Sequence, residues 1–222
     1  MAGKAQNRLG HGRPGFALWK IPHTRHYLAF IATAKDFAST WLPHVLQSFN
    51  RAHPRASIEL KVGITSELLQ HKRLGQLDLV FGKQCARGDD EGELLWEEPL
   101  VWASSSTLKL LPDASLPLAV FPEPCVYREA AIAALASSAR PGPVAFESSS
   151  MAGCIAAALA GFAVTPIARS QRLDGLQQLG SEHGLGAMSQ ARFYPFAEQN
   201  TPTVATLVEA VREIGQRKRF IR

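Results

Sequence analysis

Hydroxyl side chains gather at three points of the chain where an apolar run gives way to a helical pattern: Thr33, the pair Thr65 and Ser66, and the triplet Ser148, Ser149 and Ser150. At such a turn the hydroxyls stand beside the unpaired N–H groups of a helix N-terminus, where the dipole favours a carboxylate or phosphate. The same residue types also serve as ordinary helix caps, so recognition and capping both remain open here. Lys83 follows the apolar run 77–81 and offers a cation at a strand end; elsewhere a lone lysine is a solvated surface charge. Cys125, Val126, Tyr127 and Arg128 precede another helical pattern and offer an aromatic wall and a guanidinium fork, or else a buried thiol, a core tyrosine and a surface arginine. If these groups are functional, their chemistry is that of holding a ligand.

Motifs that would break a bond are weak. Gly10, Gly12 and Gly15 satisfy the spacing of a dinucleotide-binding loop, but no strand pattern precedes them and Pro14 interrupts the helix that should follow. Ser106 and Lys109 stand three apart without a partner motif, and His23 and His26 have no further ligands near them. No nucleophile stands with its base, and no paired carboxylates or metal-spaced cluster occurs, so the expectation is no catalytic residue, no metal and no cofactor.

The candidate groups must be carried on strands and helices, and hydrophobic periodicity shows which. An apolar run over 27–32 reads as a buried strand, followed by the polar-small turn Thr33 to Asp36. Phe37, Trp41, Val45 and Phe49 recur every four residues, with Ala38, Leu42 and Leu46 beside them, and predict a helix over 37–50 that begins near Pro43 or kinks there. Ile58, Leu60 and Val62 alternate with Glu59 and Lys61 as in a strand, Thr65 and Ser66 open a short helix that Gly75 stops, and 77–81 is the next strand. That order, β-α-β-α-β, is the order of a parallel sheet with crossover helices. A second series follows: strands at 100–105 and 118–121, a helix over 127–138, a strand at 143–146, a helix from Met151 to Gly161 and a strand at 163–167. A strand near 191–196 and a helix over 202–217 close the chain.

With 222 residues, 46% of them hydrophobic, the chain has enough apolar content for a buried core, which excludes disorder as a description of the whole. Its net charge of +5 sits at the ends. Residues 1–26 carry five cations and no acid, residues 212–222 carry five against Glu213, and the stretch between is net acidic, which argues against a nucleic-acid-binding face on the folded body. The breaker-rich 1–26 reads as a basic flexible leader. Three cysteines at wide spacing, Cys85, Cys125 and Cys154, read as small apolar fillers in a reducing compartment. No run approaches the roughly 18 apolar residues of a membrane span, and 1–20 has no apolar stretch for a signal peptide, so the expectation is a cytoplasmic protein without membrane contact.

The segments DFASTWLPHVLQSFNRAHPRASIEL, GITSELLQHKRLGQLDLVFGK and EEPLVWAS, followed by PLAVFPEPCVYREAAIAAL and VAFESSSMAGCIAAALAGFAVTPIARS, resemble the effector-binding domain of LysR-type transcriptional regulators over about 27–215. The resemblance implies an α/β protein of two Rossmann-like lobes joined by two crossing strands, the type 2 periplasmic-binding-protein fold. Lobe one would be 27–98 plus 194–222, and lobe two 99–193. A small, acidic effector would bind in the cleft between them, reached by Thr33, Thr65, Ser66, Lys83, Val126, Tyr127, Arg128 and Ser148 to Ser150.

Family behaviour further implies a homodimer in which the helix bearing Trp41, Leu42, Val45 and Phe49 packs beside a lobe-two helix of the other subunit. Trp102, on a presumed crossing strand, reads as hinge core. The winged helix-turn-helix that the family places ahead of this domain matches nothing in 1–26, so DNA is expected only through a module absent from this chain. Two rivals share the fold: a solute-binding receptor for transport, for which no export signal is seen, and an enzyme.

Overall fold

In a computed structural model, described for residues 28–34, 42–84, 93–111, 114–171, 173–197 and 199–219, the first β-α-β series builds a five-stranded sheet, and the second a three-stranded and a two-stranded one. The first series contains β1 (Leu28–Ala34), α1 (Leu42–Ala52), β2 (Ser57–Gly63), α2 (Thr65–Arg73) and β3 (Leu79–Gln84). β1 pairs in parallel with both β2 and β3, the arrangement that crossover helices impose. Helix α1 is described from Leu42 to Ala52, and residues 37–41 of its expected span lie outside the described residues.

Two further strands complete this sheet: β4 (Trp96–Glu98) and β10 (Ala191–Ala197). Its order is β2-β1-β3-β10-β4, with β10 antiparallel to both neighbours. On one face, Phe193 of β10 stacks between Trp96 at 4.2 Å and Phe81 at 6.2 Å between ring centroids. Val45 and Phe49 of α1 join this cluster, as do Val204, Leu207 and Val211 of the last helix, α5 (Pro202–Arg219). Leu68, Leu77, Val80 and Phe196 form a smaller cluster apart from it.

The second series holds β5 (Leu100–Ser105), β6 (Leu118–Val120), α3 (Val126–Ser137), β7 (Val144–Glu147), α4 (Met151–Leu159), β8 (Thr165–Ala168) and β9 (Leu176–Leu179). β5 lies between β8 and β9, antiparallel to each, while β6 and β7 pair in parallel and Leu118 bridges to Val164 beside β8. β5 is buried along its whole length, and Trp102 in it donates its indole N–H to the Gly186 carbonyl at 2.9 Å. That is the placement expected of a core residue at the crossing.

The chain passes from the first sheet to the second at Pro99, between β4 and β5, and returns between β9 and β10. β4 and β9 carry no apolar run and were not anticipated. β4 has only three residues, and two glutamines separate the leucines of β9.

The residues expected at a dimer interface divide. Trp41 and the leader 1–26 lie outside the described residues. Val45 and Phe49 retain 2% and 3% of their exposure because α5 of the same chain covers them, so they are core of their own subunit and cannot face a partner. Leu42 is half-buried, and the outward face of α1 is formed instead by residues such as His44 and Leu46.

Candidate functional site

Where the two lobes meet, the ammonium of Lys83 is the central group. β3 ends in Gly82, Lys83 and Gln84, and register places Lys83 opposite Phe193 in the middle of the first sheet. Helix α2 begins directly over this strand end. A Cβ at Gly82 would lie 2.4 Å from Thr65 Cγ2, so only glycine lets the first residue of α2 come this close. In that position Thr65 Oγ1 accepts the Lys83 backbone N–H at 3.1 Å, and the strand end and helix start are locked together. The neighbouring Ser66 hydroxyl is buried and has no hydrogen-bond partner among the described residues.

The Lys83 side chain then leaves its own lobe. Nζ donates to the Tyr127 hydroxyl at 2.7 Å and stands 5.2 Å from the centre of the Tyr127 ring. Tyr127 is in the first turn of α3, buried in the lobe-two core, so this bond joins the lobes directly. On the other side Glu98, the last residue of β4, brings Oε2 to 3.5 Å from Nζ. Its second oxygen accepts the Ser170 backbone N–H at 3.2 Å, from the short turn Arg169–Gln171 that follows β8. The lysine and glutamate side chains keep 8% and 12% of their exposure, which compels them to be paired.

Of the candidate residues, Thr65, Lys83 and Tyr127 are thus brought together, and Glu98 and Ser170, which carry no such signal in the sequence, stand with them. A glutamate beside Glu97 in a three-residue strand carries no local sign that it will face a lysine. The remaining candidates are placed differently. Thr33 is located by register alone, opposite Val62 and Phe81. Val126 packs on the lobe-two core as an ordinary apolar residue.

Arg128 does not offer its guanidinium to the cleft. Nη1 donates to the Phe121 carbonyl at 3.1 Å and to Glu147 Oε2 at 2.7 Å, and Nε stands 3.2 Å from Glu123 Oε1. It joins three segments of its own lobe and is neutralised there. Ser148 uses its hydroxyl to accept the Ser150 N–H at 3.1 Å and shape the turn before α4, while Ser149 and Ser150 are exposed.

Cys125 and Cys154 are buried free thiols, and burial, with Cys125 nearby, pushes Cys154 up to about 11. The thiol therefore stays protonated at neutral pH. An open groove of about 680 Å³ lies elsewhere on lobe one, between α5 and the end of β10, with Arg212 and Glu93 on its rim.

Two α/β lobes, with the chain passing between them at Pro99 and again between β9 and β10, and a polar junction at the strand ends define a type 2 periplasmic-binding-protein-like fold. The family description "LysR substrate binding domain" matches residues 29–216, so the chain belongs to that family. Among characterised relatives it is 28% identical over 165 residues to the HTH-type transcriptional regulator PecT of Dickeya dadantii (strain 3937), a match covering 74% of this chain and 52% of PecT. The chain thus spans about half the length of that relative.

Solved structures agree on the fold. The reduced regulatory domain of OxyR2 from Vibrio vulnificus superposes with a TM-score of 0.67 at 17% identity, covering 86% of this chain and 96% of that one. The BenM effector-binding domain with its effector benzoate gives 0.64 at 16% identity, covering 88% and 95%. The family is one of transcriptional regulators and not of enzymes.

Proposed function

We propose that this chain is the sensing module of a LysR-type regulator: it takes a small anionic metabolite between its lobes and converts occupancy into a change of lobe arrangement. The observation that carries the reading is the Lys83 ammonium, 7% exposed, held at the point where the lobes meet beside the start of α2. A carboxylate there would gain the ammonium, the first N–H groups of α2 and the Ser66 hydroxyl, which has no partner among the described residues. Benzoate in the BenM domain is an acid of this class. On lobe two the opposing wall would be Tyr127 with the Ser148 to Ser150 turn. A ligand shifts the lobes only by its difference in affinity for the two arrangements, and a few kcal/mol suffices.

The assembly that reads this change would be a homodimer through the outer face of α1, where Leu46 is 37% exposed, beside a lobe-two helix of the second subunit. DNA would be contacted through a winged helix-turn-helix outside the residues of this chain. No described helix is long and apolar enough to cross a membrane. Native mass spectrometry before and after denaturation tests both claims at once. The expected result is a dimer that releases an acidic metabolite, and whose Lys83→Gln variant releases none. An equal yield of metabolite from that variant would move the site elsewhere, and a monomer would remove the dimer.

A further inference from the structure

The Lys83–Tyr127 bond closes the space that the proposed effector would enter. Two contacts of Nζ are of unequal quality: 2.7 Å to the phenol and 3.5 Å to the Glu98 carboxylate. A carboxylate is ordinarily the better acceptor for an ammonium. Here it stands back because its other oxygen is held by the Ser170 N–H at 3.2 Å, and the neutral phenol takes the short position. The phenol is presented by the first turn of a helix buried in the opposite lobe, so the bond spans 44 residues of sequence and both halves of the fold.

We infer that Tyr127 is an internal stand-in for the effector: its hydroxyl occupies the acceptor position on Lys83 and holds the lobes together, and an oxyanion ligand binds by displacing it. This rests on the proposed site. The exchange is favourable because a carboxylate or phosphate oxygen, charged and free to approach to hydrogen-bond distance, is a stronger acceptor for an ammonium than a neutral phenol. Tyr127 thereby sets both the threshold and the class of the ligand. Neutral molecules without a strong acceptor do not compete with the phenol, and the displaced ring is the part that moves when the ligand enters. Since only the open fraction of molecules can bind, the latch raises the apparent Kd by the reciprocal of that fraction.

The test uses the chain as it is, with Tyr127→Phe, which keeps the ring and its packing and removes only the hydroxyl, and Lys83→Gln. Hydrogen exchange is followed at the start of α2, the end of β3 and the first turn of α3. In the same proteins, binding of two probes, benzoate and inorganic phosphate, is measured by calorimetry.

Tyr127→Phe is expected to raise exchange about tenfold at these three segments and nowhere else, and to bind at least one probe about tenfold more tightly than the parent chain. Unchanged exchange overturns the latch. Equal or weaker probe affinity in Tyr127→Phe, or no binding to it at all, overturns the stand-in. Lys83→Gln separates the two readings. If it loses the binding while Tyr127→Phe and the parent bind alike, the site stands and the stand-in falls. If it binds as the parent does, the proposed site falls as well.

Discussion

The Cβ that Gly215 lacks would lie 2.7 Å from Cε3 of Trp96, so the last helix and β4 approach each other through the one residue type that leaves room for an indole. Trp96 in turn stacks on Phe193 at 4.2 Å between centroids, and two residues further along the same strand is Glu98. The glycine thus makes room for the indole on the strand whose last residue carries the carboxylate at the lobe junction.

Replacing Gly215 with alanine sets two effects against each other. Helix propensity favours alanine by up to about 1 kcal/mol. The added methyl meets a rigid, stacked ring, and overpacking of that kind costs about 1–3 kcal/mol. The expected outcome of Gly215→Ala is net destabilisation of about 1–2 kcal/mol in urea titration; a stabilised variant would mean that β4 yields easily.

Glu98→Ala leaves the Lys83 ammonium with the phenol but without its carboxylate. Breaking a buried pair costs about 3–5 kcal/mol, and the 3.5 Å separation and residual exposure here reduce that to about 1–3 kcal/mol. Much of the loss should vanish in the double variant Glu98→Ala with Lys83→Met, which removes the unpaired charge. A double-mutant cycle in urea checks this, and simple additivity of the two losses would show that the pair is not coupled.

For Arg128 the three contacts within lobe two set the expectation. Arg128→Lys cannot reproduce a fork that reaches Phe121, Glu123 and Glu147 together, so it should lose about 1–2 kcal/mol of stability. Its affinity for benzoate or phosphate should match that of the parent chain. A selective loss of affinity at unchanged stability would return Arg128 to the cleft.

Cys154 makes the alkaline side of the stability curve informative. The folded thiol ionises near 11 and the unfolded one near its ordinary 9.0, so between those values the folded state holds a proton that the unfolded state has released. Stability must then fall as pH rises through that window. Cys154→Ala should flatten this part of the curve while costing some packing at all pH values. In the parent chain Cys154 should react with a thiol reagent at neutral pH only on unfolding.

Much of the architecture was legible in local pattern. The period-two alternation of Ile58 and Leu60, the fourfold spacing of Val45 and Phe49 and the hydroxyls before α2 and α4 placed two β-α-β series in order, because strand and helix periods are properties of neighbouring residues. The same pattern could not say what covers a face. Val45 and Phe49 read as surplus apolar surface until α5, more than 150 residues later, was seen to lie on them. Arg128 read as a free fork until Glu123 and Glu147 closed around it.

The amino-acid sequence alone determined the family and the two-lobed α/β class, since ordered segments of matching spacing run through most of the chain. Only the tertiary structure decided the state of Lys83. A lysine's chemistry depends on what stands within a few ångströms of its ammonium, and here that is Tyr127 from the other lobe and Glu98 from an unforeseen strand, neither of them near it in sequence.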